Sequence, residues 1–187
     1  MVAAVPLPKF LATRIPDRPG FPSTPMYHVD LPAGLEQMAS GVKKIDERIR
    51  DHVIICGFGR FSQAVLKHLG TTAPPAVFVE LNPDLEPRLR AMGHPYVLGS
   101  AIDPIVLEAA GVRRARVLVA GTGNEAANIS IVMAARELNP GLEIHARAES
   151  ADGARWLRGA SATEVVDPYR LAARVIVRDL AGGPKVS

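Results

Sequence analysis

The feature that most constrains this chain is a four-residue apolar run that ends in a glycine turn. Val53-Ile54-Ile55-Cys56 leads directly into Gly57-Phe58-Gly59. A run this short and this apolar reads as a strand buried on both faces. The apolar period then becomes that of a helix over 61–69, with Gly70 as its stop. Strand, tight turn and helix in that order bring the first backbone amides of the helix to the end of the strand, where they attract negative charge.

The same alternation continues to the end of the chain. With the first strand at 52–56, a second is expected at 76–80, then a helix over 85–92 with Pro87 in its first turn and Gly93 past its end, and a third strand at 95–98. Asp103 caps the next helix, with Pro104 at its first position and Gly111 closing it. A fourth strand at 117–120 precedes a helix over 125–138, which Asn139-Pro140-Gly141 breaks. A fifth strand at 143–146, a short helix over 151–158 ended by Gly159, and a sixth strand at 164–166 follow. Asp167-Pro168 repeats the cap-and-proline start, and the last helix runs to about residue 180, before Gly182-Gly183. Short apolar strands alternating with helices imply an α/β fold: a Rossmann-like, doubly wound, six-stranded parallel sheet of order 3-2-1-4-5-6 with helices on both faces. Hydrophobic residues make up 48% of the chain and aromatic ones only 5%, so aliphatic layers must fill its core. Ligands of such sheets bind at the carboxyl ends of the strands, beside the switch between the first and the fourth.

At that edge the chemistry is specific. Gly57 permits the tight turn, and Gly59 lets the backbone approach a pyrophosphate. Ser62 stands where the usual fingerprint has its third glycine, and it is small enough to keep helix and strand close. Glu80 ends the second strand, where an acid accepts hydrogen bonds from ribose hydroxyls and repels a 2′-phosphate, which favours NAD(H) or an adenosine nucleotide over NADP. Arg60 beside the turn and Arg147 at the end of the fifth strand face the same edge. Each reads either as a phosphate partner or as a surface arginine. No Ser-His-Asp or Cys-His arrangement appears, and the five histidines (His28, His52, His68, His94 and His145) lack metal-ligand spacing. His52 and His145, in or beside strands, read as core or edge residues, and Trp156 as a packing residue on its short helix. Cys56, the one cysteine, excludes a disulfide within the chain and reads as a small buried hydrophobe, which suits a reducing cytoplasm.

The flanks differ. Residues 1–34 hold Pro6, Pro8, Pro16, Pro19, Pro22, Pro25 and Pro32 and read as an extended or disordered arm. Leu35, Met38, Val42, Ile45 and Ile49 recur at three- and four-residue steps, so an amphipathic connector helix is expected over 35–50, either packed on the domain or transmitting force to another element. The folded domain is expected over 51–181. The net charge of +3 comes from scattered arginines without interleaved aromatics, a solvated surface rather than a nucleic-acid patch. No apolar stretch reaches membrane-span length, and the N-terminus lacks the order of a signal peptide.

The motifs together resemble one family. His52-Val-Ile-Ile-Cys-Gly57-Phe-Gly59-Arg60-Phe61 is similar to the opening of the domain that regulates conductance of potassium, the RCK or TrkA-N domain. Val77-Phe-Val-Glu80-Leu-Asn-Pro83, Gly99-Ser100-Ala101, Leu107-Glu-Ala-Ala-Gly111, Ala115-Arg-Val-Leu-Val-Ala120, Asn124-Glu-Ala-Ala-Asn128, Ile144-His-Ala-Arg147-Ala, Gly159-Ala160 and Val165-Val-Asp-Pro168 match later segments in order. The resemblance implies a cytoplasmic regulatory domain of a potassium channel or transporter, including Kef-type efflux systems, and not an enzyme. It implies pairing with a second copy or a ring, a membrane channel or transporter subunit as partner, and a place at the inner face of the plasma membrane. It carries cofactor binding onto Gly57, Phe58, Gly59, Arg60, Phe61, Glu80, Ser100, Ala101, Gly121, Thr122 and Arg147, with NAD(H) as ligand and ATP, ADP or AMP as the alternatives. Two positions depart from the pattern: Ser62 replaces a glycine, and Ser100 replaces an acid that in the family helps hold adenosine. A small NAD-dependent oxidoreductase and a ligand-free assembly lobe are the competing functions. The chain is expected to be either a separate cytosolic subunit or a piece of a longer channel.

Overall fold

Val53–Cys56 forms the central strand because both its faces find apolar partners. Val53 and Ile55 point into one core cluster with Phe58, Phe78, Leu89 and Val119. Ile54 and Cys56 point into the other with Val77, Val79, Leu118, Ala120, Ile131, Ile144 and Leu157. A strand alternates its side chains between two faces, so an unbroken apolar run is the pattern that two covered faces require.

The computed structural model describes residues 12–13, 26–27, 42–69 and 74–181. The chain divides into two units, Met1–Ser40 and Gly41–Ser187. In the first, β1 (Ala12–Thr13) pairs antiparallel with β2 (Met26–Tyr27), Ala12 opposite Tyr27. The remainder of the proline-rich arm with His28, the 35–41 part of the expected helix, and the stop glycines Gly70, Gly182 and Gly183 lie outside the described residues.

In the second unit the elements run in order as β3 (Val53–Cys56), α1 (Arg60–Leu69), β4 (Ala76–Glu80), a 3-10 turn (Pro83–Leu85), α2 (Glu86–Ala91) and β5 (Tyr96–Leu98). They continue with α3 (Pro104–Ala109), a second 3-10 turn (Val112–Arg114), β6 (Val117–Ala120), α4 (Glu125–Leu138), β7 (Glu143–Arg147), α5 (Ala151–Gly159), β8 (Glu164–Val166) and α6 (Pro168–Leu180). The sheet order is β5-β4-β3-β6-β7-β8, every pair parallel, which is the expected third-second-first-fourth-fifth-sixth order. One cluster takes its helical residues from α1 and α2, and the other from α3, α4 and α5. Helices thus cover both faces. The chain changes face once, on passing from β5 to β6, and the crevice between β3 and β6 is the switch point.

Caps fall where the side chains dictate. Asp103 accepts the Ile105 N–H at 2.8 Å, Asn124 the Ala127 N–H at 3.0 Å, and Ser150 the Gly153 N–H at 2.8 Å. Gly111, at φ +74°, follows the end of α3. The helix expected over 85–92 begins instead as a 3-10 turn, because Asn82 accepts the Asp84 N–H and Pro83 and Pro87 cannot donate. On α6, all of 171–177 are exposed, including Leu171, Val175, Ile176 and Val177.

The connector helix needs correction where it is described. Residues 42–50 are irregular, with a turn at 47–48. The Asp46 carboxylate accepts the Arg48 N–H and grips its guanidinium, a local bond that competes with helix. Arg48 holds that carboxyl down to about 2. The Ile45 N–H donates to Ala109 O at 3.0 Å, and Arg114 Nε donates to Ile49 O at 2.9 Å. The spacing of Val42, Ile45 and Ile49 is satisfied by all three packing on the domain core as a strap.

His52 lies fully buried where this strap meets β3, and its Nε2 donates to Ala110 O at 2.9 Å. Burial pushes its pKa below the ordinary 6.5. Its neutral form therefore contributes stability that is fully present above pH 6.5 and is lost as the pH falls toward the lowered folded value, because the unfolded chain binds the proton first. Urea unfolding across pH is expected to show a loss as the pH falls below 6.5 that flattens in His52→Gln, which keeps an N–H for the same carbonyl. An equal slope in both proteins would assign the loss elsewhere.

Candidate functional site

The crevice is built by two turns set back to back. After β3, Gly57 takes φ +85° and donates its N–H to Val79 O at 2.8 Å. After β6, the Gly121 N–H donates to Cys56 O at 3.2 Å. A Cβ on Gly57 would lie 3.3 Å from Thr122 Cα, so the two turns touch at backbone level. Gly59 differs: nothing lies within 4 Å of a Cβ placed there. It faces open space just before the start of α1.

Side chains around the turn divide between core and crevice. Phe58 is buried, edge-on to Phe78 with centroids 5.4 Å apart, and the Arg88 guanidinium lies 5.5 Å from its ring centre. Its ring serves the core, its N–H goes to Glu80, and its carbonyl accepts from Gln63 Nε2 at 3.0 Å. Phe61 is half-buried, and a Cβ on Gly121 would meet its ring at 3.0 Å and Ser62 Oγ at 2.9 Å. Ser62 is fully buried, with no hydrogen-bond partner for Oγ. The close approach that a third glycine commonly provides is obtained here from Gly121 on the opposite side of the contact. Arg60 is exposed at the first position of α1.

Glu80 joins the turn to the second strand. Its Oε2 accepts the Phe58 N–H at 2.6 Å and its Oε1 the Asn82 N–H at 2.8 Å, with the residue only 8% exposed. A carboxylate has about four lone-pair sites, so each oxygen keeps capacity for a ribose hydroxyl. The Gly99 N–H donates to Glu80 O at 2.8 Å, which seats Ser100 and Ala101 beside it. Ser100 is half-buried and its carbonyl accepts the Asp103 N–H, while Ala101 is buried.

On the far side, Asn128 binds three segments together. Its Oδ1 accepts the Thr122 N–H at 3.0 Å and the Thr122 hydroxyl at 2.7 Å, and its Nδ2 donates to Thr122 O at 3.2 Å and Arg147 O at 3.0 Å. Asn128 is fully buried. Sequence reasoning gave it no role, although the signal was present: it is the polar member of the inward stripe that continues with Ile131, Val132 and Ala135. Arg147 leans back toward the turn, its guanidinium carbon 5.8 Å from the Phe61 ring centre and its Nη2 2.7 Å from Glu149 Oε1. Glu149 and Glu125 were also missed. Glu125 accepts the Glu149 N–H at 2.6 Å and the Ser150 N–H at 3.0 Å, and these bonds hold its carboxyl below the usual range.

Gly57, Phe58 backbone, Gly59, Phe61, Glu80, Thr122 and Arg147 therefore meet around one crevice. Gly121 supports it from behind, Ser100 and Ala101 flank its β5 end, and Arg60 stands at its rim. Cys56 behind it is fully buried, and burial pushes its thiol up to about 12, so it presents no nucleophile. Among the described residues no group of three or more His, Cys, Asp or Glu is placed to hold a metal, and no helix is long and apolar enough to cross a membrane.

Comparison with known proteins agrees with this fold. The TrkA-N domain family matches residues 53–168. A probable potassium channel protein 2 from Methanocaldococcus jannaschii is 33% identical over 134 residues, covering 68% of this chain and 39% of the channel. The chain spans less than half the length of the curated relatives it matches first, at 39%, 19% and 43%. Among solved structures, the TrkA-N domain of the Escherichia coli inner membrane protein YbaL superposes with a TM-score of 0.67 at 29% identity, over 71% of this chain and 98% of that one. The GsuK channel bound to NAD superposes with a TM-score of 0.63 at 26% identity, over 68% of this chain and 23% of that one. A GsuK structure bound to ADP matches equally well, covering 34% of its chain.

Replacing Asn128 by Asp would turn its Nδ2, which serves two carbonyls, into an acceptor facing them. Asn128→Asp is expected to lower the unfolding free energy by roughly 3 kcal/mol in urea titration. A loss under about 0.5 kcal/mol, the level of an ordinary surface change, would show that these bonds do not hold the crevice.

Proposed function

The chain belongs to the TrkA-N domain family, and from that premise we propose that it is a nucleotide-sensing regulatory module of a potassium channel or transporter. The observation that carries the reading is the crevice itself. An unobstructed Gly59 lies at the amino end of α1, and a buried Glu80 with unused acceptor capacity stands one strand away. That pairing suits a phosphate and a ribose at once. The acid disfavours a 2′-phosphate, so NAD(H), ADP, ATP and AMP are the ligand class. The ligands of the GsuK structures support the same class.

The module acts by differential binding: a nucleotide shifts the partner only by preferring one arrangement of the assembly. Self-association is part of the proposal. Tyr169, Leu171, Val175, Ile176, Val177 and Leu180 are exposed on α6, the last at 82%, an apolar load that favours burial against another surface. The membrane partner is the pore or carrier that the module controls, and its site of action is the cytoplasmic face.

Calorimetric titration with NAD, NADH, ADP and ATP tests the reading, which fails if none binds. Gly59→Ala supplies a specific control. Its new methyl meets nothing in the free protein, so unfolding stability is expected to stay within about 0.5 kcal/mol. The same methyl enters the phosphate approach, and affinity is expected to fall about ten-fold, near 1.4 kcal/mol. Size-exclusion chromatography with and without nucleotide addresses the assembly: a chain that stays monomeric throughout contradicts gating through pairing.

A further inference from the structure

We infer that Glu149 is a built-in competitor for ligand phosphate at Arg147, so that this pair grades nucleotides by the charge they carry beyond the first phosphate. The inference rests on the nucleotide-sensing reading above and names how that site would select among its ligands.

Position comes first. Glu80 ends β4 and the glycine turn ends β3, so a ribose on the first places the adjoining phosphate over the second. Arg147 ends β7, two strands beyond β3 in the sheet. Neighbouring strands lie about 4.8 Å apart, so β7 is roughly 10 Å from the glycine turn. The Arg147 side chain recovers part of that span by leaning over Phe61 in the first turn of α1. A first phosphate lies short of it, and a second lies within its direction of reach.

The guanidinium is also under-used. It has five N–H donors. Its acceptors are Glu149 Oε1 at 2.7 Å and, at the long distance of 3.5 Å, Thr122 O. Its Nε is buried with no partner. With the side chain only 14% exposed, water satisfies little of what remains. A cation seated this way gains from an acceptor with several oxygens. A terminal phosphate supplies them and forms charge-assisted, two-point bonds with guanidinium.

Glu149 is placed to yield. Its carboxylate is exposed, at 39%, and a partly solvated ion pair of this kind contributes little net stability. Its backbone does not need to move. The Glu149 and Ser150 N–H groups and the Ser150 hydroxyl all donate to the Glu125 carboxylate, at 2.6, 3.0 and 2.9 Å. The chain is pinned there, and the exchange is a rotation of one side chain from Arg147 into solvent. Until it rotates, the carboxylate neutralises the cation that a second phosphate would use.

Calorimetric titration of the full chain with AMP and with ADP tests this through the ratio of the two affinities. In Glu149→Gln the ADP-to-AMP affinity ratio is expected to rise at least three-fold over the wild type, because the competing charge is gone while the surface residue keeps its shape. In Arg147→Gln the ratio is expected to fall below the wild-type value. Arg147→Lys, which keeps the charge and much of the packing on Phe61, is expected to lie between them. An unchanged ratio in Glu149→Gln, with ADP still bound, overturns this inference and leaves the sensing reading standing. Failure of the wild type to bind either nucleotide overturns both.

Discussion

Two backbone amides converge on one buried carboxylate, and the shape of the crevice follows from that convergence. The Phe58 N–H belongs to the glycine turn after β3, and the Asn82 N–H to the turn after β4. Neither has a helix or sheet partner where it lies, and a buried amide left unpaired costs about 1–3 kcal/mol. Glu80 satisfies both at once and locks the two strand ends in register. The same bonds aim Phe58 into the cluster under α1 and α2, which leaves Gly59 as the outward member of the turn. Side-chain burial on one face and ligand access on the other are thus two results of a single carboxylate.

Most of the architecture was legible because the two covered faces of the sheet write it twice. The strands at 76–80, 117–120 and 164–166 and the helix over 125–138 fall where apolar runs, caps and breakers place them. The 42–50 segment misled for a physical reason. Its apolar spacing is real, since Val42, Ile45 and Ile49 all pack on the core. Periodicity reports only that residues share a buried side. Here the Ile45 N–H goes to Ala109 and Ile49 O accepts from Arg114, with a single turn bond from the Ile49 N–H to Asp46 O in place of a helical ladder.

The crevice was legible in proportion to how local its signals are. Gly57 and Gly59 declare themselves within three residues, and Glu80 stands at the end of an unmistakable strand. Phe58 lies in the same turn, yet its ring serves the core, because a strand end alternates faces whatever its motif implies. Asn128 and Glu125 were silent because their meaning depends on residues about 6 to 25 positions away, which only the folded chain brings within hydrogen-bond reach. Glu149 pairs with Arg147 just two residues back, and it was silent because spacing alone does not tell such a pair from two solvated charges. Ser62 belongs with them. Taken alone it is a lost glycine, and its fit becomes apparent only beside Gly121.

The burial of Cys56 has a practical consequence. The chain holds one thiol. It sits in the last residue of the central strand, paired with Val79 on one side and Ala120 on the other, one position before the turn that would cradle phosphate. With its ionisation pushed up to about 12 and no surface exposed, a thiol reagent reaches it only when β3 parts from its neighbours. The rate at which Cys56 is alkylated is therefore a clock for opening at the centre of the sheet. Any molecule that settles in the crevice and prefers the closed state slows that clock, so occupancy can be timed without a label on the ligand.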